Sequence, residues 1–410
     1  MPIGIELLDF YVGQYYVDIR ELFEHRNLDM RRFDNLIIKN KSVALPCEDA
    51  ITNAVNASKK IIDQMSDSEK ESIHLLIVAT ESGIDFGKSI GTYIHHYLNL
   101  NKNCRQFEIK QACYAGTAAL QMAVNFIASK AEPGAKALII ATDATKAMAK
   151  YTYAEPSQGH GAVAFIVSDN PKILEIDFGA NGHYSYEVMD TCRPDVDVEA
   201  GDPDISLLSY LECMHKSYEN YAAKVNQVDI CDTFDYLVFH TPFGGMVKGA
   251  HRDLIRVLKK MPPDQIELDF KQRVFPSLLY CSEVGNIYSA TIFLAFLSLV
   301  DNANFIEQSR VGFFSYGSGC SSEFYSGVIN EESVNKIKNL NIKSKINNRL
   351  KLTMQQYDAI LTVAEKFKFG IQNHIINLNE FNELYNDNYH QKNLLFLDKI
   401  NNYHREYSWS

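Results

Sequence analysis

The chain is 410 residues long, with 46% hydrophobic and 22% charged residues, a balance that excludes wholesale disorder. Its 21 Gly and 11 Pro exclude collagen-like and Pro-rich architectures, and the length allows two or three domains or one large duplicated one. The formal net charge of −11 disfavours broad nucleic-acid binding, so an acidic partner needs a local basic patch.

The N-terminus, Met1-Pro2-Ile3-Gly4-Ile5-Glu6, has no basic segment of the kind that opens a secretion signal. His74 to Thr80 predicts a buried strand, short and apolar, followed by a carboxylate, Glu81. Gly83 to Ser89 imitates a phosphate-binding loop. Ser82 stands where its first Gly belongs and the nest is a residue short, so the stretch reads as a helix start after a strand. Cys113 precedes a run of small residues and an apolar helix, Ala118 to Lys130. Lys136 to Thr142 and Gly161 to Val167 predict further buried strands, giving the βαβ rhythm of an α/β protein. Asp195-Val-Asp-Val-Glu199 suggests a calcium loop, but Gly201 is a place late and Ser206 replaces the bidentate Glu, so an exposed acidic loop is expected.

The second half repeats the first. Phe234 to His240 resembles Ile73 to Glu81, Gly285 to Phe293 resembles Ala112 to Leu120, and Val311 to Tyr316 answers Gly161 to Val167. Such matches in the same order predict an internal duplication. The most apolar stretch, Thr291 to Val300, is far short of the roughly 20 residues that cross a bilayer. From about Asn330 the chain turns Asn- and Lys-rich, with amphipathic pieces such as Tyr357 to Lys366, which predicts a C-terminal helical appendage. The expected units are 1–170, 171–330 and a helical 331–410 completing the second half. The eight Cys form no C-x-x-C and no dense framework, so they read as thiols of a cytoplasmic protein.

Three residues carry chemistry. A thiol at a helix start, as at Cys113, meets unpaired N–H groups and the positive end of the dipole, which favours the thiolate and could hold an oxyanion. The plainer reading is a buried structural Cys. His240 leaves a strand end before Thr241-Pro242-Phe243-Gly244-Gly245, at the rim where α/β proteins bind ligands. Glu81 ends the matching strand, and burial there would raise its pKa toward the range of a general acid or base. A duplication about a pseudo-two-fold would bring these strand ends together as nucleophile, carboxylate and imidazole. Gly317-Ser318-Gly319 adds a turn whose N–H groups could approach an acyl oxygen.

Glu81-Ser-Gly-Ile-Asp, Gln111-Ala-Cys-Tyr-Ala-Gly-Thr117, His240-Thr-Pro-Phe, Val284-Gly-Asn286, Tyr316-Gly-Ser-Gly319 and Tyr403-His-Arg-Glu-Tyr407 resemble motifs of the hydroxymethylglutaryl-CoA synthase family of the thiolase superfamily. Ala154 to Gly161, Met189 to Pro194 and Gly244-Gly-Met-Val-Lys-Gly249 look like the branch that serves polyketide β-branching. The resemblance implies a five-layered αβαβα thiolase-like fold and a homodimer. It implies no tightly bound cofactor and no metal, with acyl groups delivered on the phosphopantetheine of donor and acceptor acyl carrier proteins, or on CoA. Cys113 would take acetyl, Glu81 would remove a methyl proton, and the enolate would add to a β-ketoacyl acceptor hydrogen-bonded by His240. Hydrolysis of the acyl-Cys would follow. Asn286, Ser318, Gly319 and Lys248 are the expected substrate contacts, Lys248 through the pantetheine phosphate. Arg252, Arg256, Lys259 and Lys260 fall at helical spacing as a docking face for an acidic carrier protein, with Arg32 in a second candidate patch. Two alternatives stay open: a mevalonate-pathway synthase using two CoA thioesters, and a non-catalytic carrier-protein scaffold.

Overall fold

Short runs of Val, Ile, Leu and Ala, too short for helices and closed by polar turns, become the central strands. A computed structural model describes residues 2–144, 150–152, 154–195, 198–305, 307–367 and 369–410. In chain order the strands are β1 (Gly4–Tyr11), β2 (Tyr15–Asp18), β3 (Asn40–Val43), β4 (Ile73–Ala79), β5 (Arg105–Ile109), β6 (Lys136–Asp143), β7 (Gly161–Ser168), β8 (Leu174–Ser185) and β9 (Thr191–Asp195). They continue with β10 (Val198–Gly201), β11 (Tyr236–Phe239), β12 (Ser309–Gly317), β13 (Ser321–Ile329), β14 (Leu350–Lys351), β15 (His374–Ile375), β16 (Leu395–Asn401) and β17 (His404–Trp409).

The order β5-β4-β6-β7-β1 forms one half of the central sheet system and β8-β13-β12-β11 the other. They join where Gly4 and Ile5 of β1 pair with Glu175 and Leu174 of β8, and the Ile176 N–H beside them donates to the Ile3 carbonyl at 2.9 Å. In the first half β4 and β6 run parallel, while β6–β7 and β7–β1 are antiparallel. In the second, β11 and β12 are parallel, while β12–β13 and β13–β8 are antiparallel. The pairing pattern repeats, as a duplication requires. One correspondence moves by a strand: β12 holds the place of β6, so Val311 to Tyr316 answers Lys136 to Thr142, and β13 answers β7. Neighbouring strands buried on both faces are all apolar, so their sequences alone do not tell which is which.

Alternation along the strands divides the core. Leu75, Ile77 and Ala79 of β4 face helices Ala115–Ser129 and Thr291–Asn302, and Val238 of β11 reaches the same cluster. Leu76 and Val78 face helix Ala50–Gln64. Leu237 and Phe239 face helices Pro203–Lys224 and Gly244–Lys259. The period of two thus produces five layers, helix–sheet–helix–sheet–helix, in a thiolase-like fold.

Beyond residue 330, helix Glu331–Lys338 packs on the second half, and helix Met354–Ala364 forms where Tyr357 to Lys366 predicted one. The segment also contributes strands, and its later part joins the first half. Tyr357, Ile360, Leu395, Leu397 and Tyr407 share a core with Ile51 and Val55. The side chain of Asn56 brackets Leu395, accepting from its N–H at 2.7 Å and donating to its carbonyl at 3.2 Å. No helix among the described residues is long and apolar enough to cross a membrane.

Candidate active site

The site lies at the carboxyl ends of β4, β6 and β11, where open α/β sheets offer unpaired backbone groups and space. At the end of β6, Asp143 clamps the turn after β4. Its Oδ1 accepts from the Glu81 N–H, the Thr80 hydroxyl and the Ser82 hydroxyl, each at 2.9 Å. Cys113 stands in the turn before helix Ala115–Ser129, after Ala112 with φ 43°. The end of β12 presses on that turn. A Cβ on Gly317 would lie 2.5 Å from the Gln111 carbonyl oxygen and 2.6 Å from the Tyr114 nitrogen, so only glycine fits. His240 directly follows β11, its N–H donating to the Phe314 carbonyl at 2.7 Å and its own carbonyl accepting from the Tyr210 hydroxyl at 2.7 Å.

These side chains share one cavity of about 1190 Å³, lined among others by Glu81, Cys113, His240, Asn286 and Ser318. Cys113 Sγ is 3.7 Å from Glu81 Oε1. Burial pushes the Cys113 thiol well up, and the Glu81 and Asp143 carboxylates push it further. The helix start was expected to favour the thiolate; desolvation and two facing carboxylates outweigh it, and the resting group is a thiol. Burial also raises Glu81, against the opposing pull of Arg193. Asp143 is pushed up to about 8, by burial first and then by the Glu81 charge. His240, 1% exposed, is pushed down to about 3 by burial, so it acts as a neutral imidazole. Its Nδ1 has no partner among the described residues.

The structure places the other expected residues unevenly. Asn286 has its amide oxygen fixed by the Tyr288 N–H at 2.9 Å and the Thr291 hydroxyl at 2.8 Å. Gly319 donates its N–H to Asp190 Oδ1 at 2.9 Å, which takes that amide away from an acyl oxygen. Lys248 does not line the cavity and pairs with Glu267 at 3.0 Å. Arg256 pairs with Asp253 and Lys259 with Asp229, both at 2.6 Å, on helix Gly244–Lys259, which ends before Lys260. Arg252 is exposed on the same helix, outside the cavity lining. Arg32, exposed, is the one cation of either docking set among the lining residues described.

Sequence reasoning missed four polar residues. Asp143 carries the signal that singled out Glu81, a carboxylate closing an apolar strand. Arg193 and Glu199 come from the β9–β10 hairpin, Arg193 lying 3.3 Å from Glu81 Oε2 and 3.5 Å from Glu199 Oε2. Gln158 donates to both Glu199 oxygens at 3.0 and 3.1 Å. The stretch Asp195 to Glu199 was expected to be an exposed acidic loop. Residues 196 and 197 lie outside the described residues, but the Glu199 side chain is only 11% exposed and lines the cavity. Val198, Ala200 and Gly201 beside it are exposed, so Glu199 alone of β10 turns into the cavity.

The family model for the N-terminal part of hydroxymethylglutaryl-coenzyme A synthase matches residues 1–172, and that for the C-terminal part matches 174–256 and 252–409. PksG of Bacillus subtilis (strain 168), a polyketide biosynthesis 3-hydroxy-3-methylglutaryl-ACP synthase, is 48% identical over 415 residues, covering 99% of both chains. The crystal structure of the curacin biosynthetic pathway HMG synthase in complex with acetyl donor-ACP superposes with a TM-score of 0.98 at 50% identity, covering 100% of both chains. A hydroxymethylglutaryl-CoA synthase of Enterococcus faecalis is 32% identical over 395 residues, 90% of this chain and 97% of its own. With its length matched end to end and Glu81, Cys113 and His240 gathered around one cavity, the chain belongs to the hydroxymethylglutaryl-coenzyme A synthase family.

Proposed function

We propose that this chain is an acyltransferase of polyketide β-branching, adding a carboxymethyl branch to a β-ketoacyl group carried on an acyl carrier protein. The observation that carries the reading is the Cys113 thiol 3.7 Å from the Glu81 carboxylate, in a cavity that also holds the His240 imidazole. In this reading residues 1–170 supply nucleophile and base and 171–330 supply the imidazole. Cys113 attacks the acetyl thioester of a donor carrier protein, forming a new thioester while the pantetheine thiol leaves with the proton. Glu81 takes a proton from the acetyl methyl group, and the enolate carbon bonds to the β-keto carbon of the acceptor. The neutral His240 hydrogen-bonds the acceptor, and the Cys113 and Ser318 N–H groups face the acetyl oxygen. The alkoxide formed takes back the proton that Glu81 removed, and water then cleaves the acyl-Cys bond, freeing the Cys113 thiol and leaving a carboxymethyl branch on a tertiary alcohol. The proposal includes an acceptor carrier protein and a homodimer. Greater similarity to PksG than to the Enterococcus faecalis enzyme supports carrier proteins over CoA.

The test is intact-mass analysis after mixing with acetyl carrier protein and, separately, with acetyl-CoA, followed by acetoacetyl carrier protein or acetoacetyl-CoA. Faster acetylation and condensation with the carrier-bound pair supports the reading; preference for the CoA pair makes this a mevalonate-type enzyme. Cys113→Ser should give no acetyl adduct. An adduct that persists on another Cys removes Cys113 from the mechanism.

A further inference from the structure

The β9–β10 hairpin brings a cation to the base, and the proposed mechanism leaves it unused. The two oxygens of Glu81 face different partners. Oε1 lies 3.7 Å from Cys113 Sγ, while Oε2 lies 3.3 Å from Arg193 Nη1. Arg193 is held on its other sides. Its guanidinium sits over the Tyr288 ring, 5.0 Å from the centroid, and its Nε lies 3.5 Å from Glu199. Gln158 fixes Glu199 in turn. The Arg193 side chain is 19% exposed and that of Glu81 15%, so water screens their attraction weakly.

We infer that Arg193 is the positioning residue of Glu81: it keeps the carboxylate ionised and turns its free oxygen toward the acetyl group on Cys113. The inference rests on Glu81 being the base. The titratable and charged groups facing Glu81 are Arg193 and Glu199 from the hairpin, Asp143 from the end of β6, Cys113 from the turn before helix Ala115–Ser129, and Tyr288. Arg193 is the one cation among them. Without it Glu81 would share a buried pocket with Glu199 and the Asp143 carboxyl and face no cation, and its proton would be harder to remove. The planar guanidinium suits the task, because it can stack on Tyr288 while its edge reaches Glu81 and Glu199.

Single-turnover condensation from enzyme already acetylated at Cys113, followed against pH, tests the inference. Arg193→Gln should still acetylate at Cys113. The acid limb of its condensation profile should move to higher pH by about one unit, a loss of about tenfold below the limb that recovers above it. Arg193→Lys should recover part of the shift. Glu199→Gln should move the limb to lower pH, since it removes an opposing charge, and it decides the matter alone if Arg193→Gln fails to fold. A pH-independent loss in Arg193→Gln, or an unmoved limb in Glu199→Gln, assigns the hairpin to scaffolding and overturns the inference. Wild-type condensation by Glu81→Gln is a different result: it removes Glu81 as the base, and the inference with it.

Discussion

At Cys113 two effects compete. The start of helix Ala115–Ser129 offers N–H groups to a thiolate, while burial and the carboxylates of Glu81 and Asp143 oppose one. The second set wins, so the thiol must lose its proton as it attacks, and the departing pantetheine sulfur takes that proton away. Alkylation of Cys113 by iodoacetamide should therefore be slow at pH 7 and keep rising through pH values where an ordinary thiol of pKa about 8.5 has levelled off. Glu81→Gln removes one opposing charge and should alkylate faster at the same pH, read by peptide mass mapping at Cys113. The same variant should acetylate but lose about 10²–10⁴-fold in condensation, because an amide cannot take the methyl proton. Condensation near wild type with failed acetylation would reverse the role of Glu81.

On helix Gly244–Lys259 the spacing of the cations and their observed partners have to be weighed together. Its cations fall on one face by spacing, yet Lys248, Arg256 and Lys259 are answered by Glu267, Asp253 and Asp229, and none lines the cavity. Exposed pairs of this kind contribute about 0–1 kcal/mol to stability. Their larger consequence is a face on which three of the five cations are answered, leaving Arg252 and Lys260 exposed. Arg32 stands exposed at the cavity instead. Arg32→Glu should raise KM for acetyl carrier protein and leave acetyl-CoA turnover nearly unchanged, with the defect deepening at low salt as screening falls. Arg252→Glu with Arg256→Glu should have the smaller effect. Steady-state kinetics at two salt concentrations compare them, and a larger loss in the double variant places docking on helix Gly244–Lys259.

Across the whole molecule, the C-terminal segment is part of the first half's core. Arg26, whose side chain is 2% exposed, ties Glu155 at 3.0 Å to Asp358 at 2.6 Å, linking helix Ile19–Arg26, the loop beside the cavity and helix Met354–Ala364. Arg26→Ala leaves Glu155 buried without its ion pair and should cost about 3–5 kcal/mol, measured by urea unfolding. Ending the chain after residue 352 strips Tyr357, Ile360, Leu395, Leu397 and Tyr407 from the apolar cluster around Ile51 and Val55. At about 1.5–3 kcal/mol per large apolar side chain, the loss matches the whole stability of a typical domain, about 5–15 kcal/mol. The truncated chain should show no cooperative thermal transition by circular dichroism.

Composition, strand runs and repeat order in the sequence were enough to determine an α/β protein built from two like halves. Local signals also marked Glu81, Cys113 and His240, each a polar group where an apolar element begins or ends. Such signals are short-range, set by the period of two in strands and by the small residues that open a helix, so they survive in a linear reading. The exchange of β12 for β6, the inward turn of Glu199 and the pairing of Lys248 and Lys259 with Glu267 and Asp229 depend on partners distant in the sequence. Only the tertiary structure decided that Arg193, Glu199 and Gln158 converge on Glu81, that Gly319 turns its N–H to Asp190, and that the Cys113 thiol is held protonated. Each of these is set by burial and by charges brought close through folding, and neither quantity is carried by the spacing of residues in a sequence.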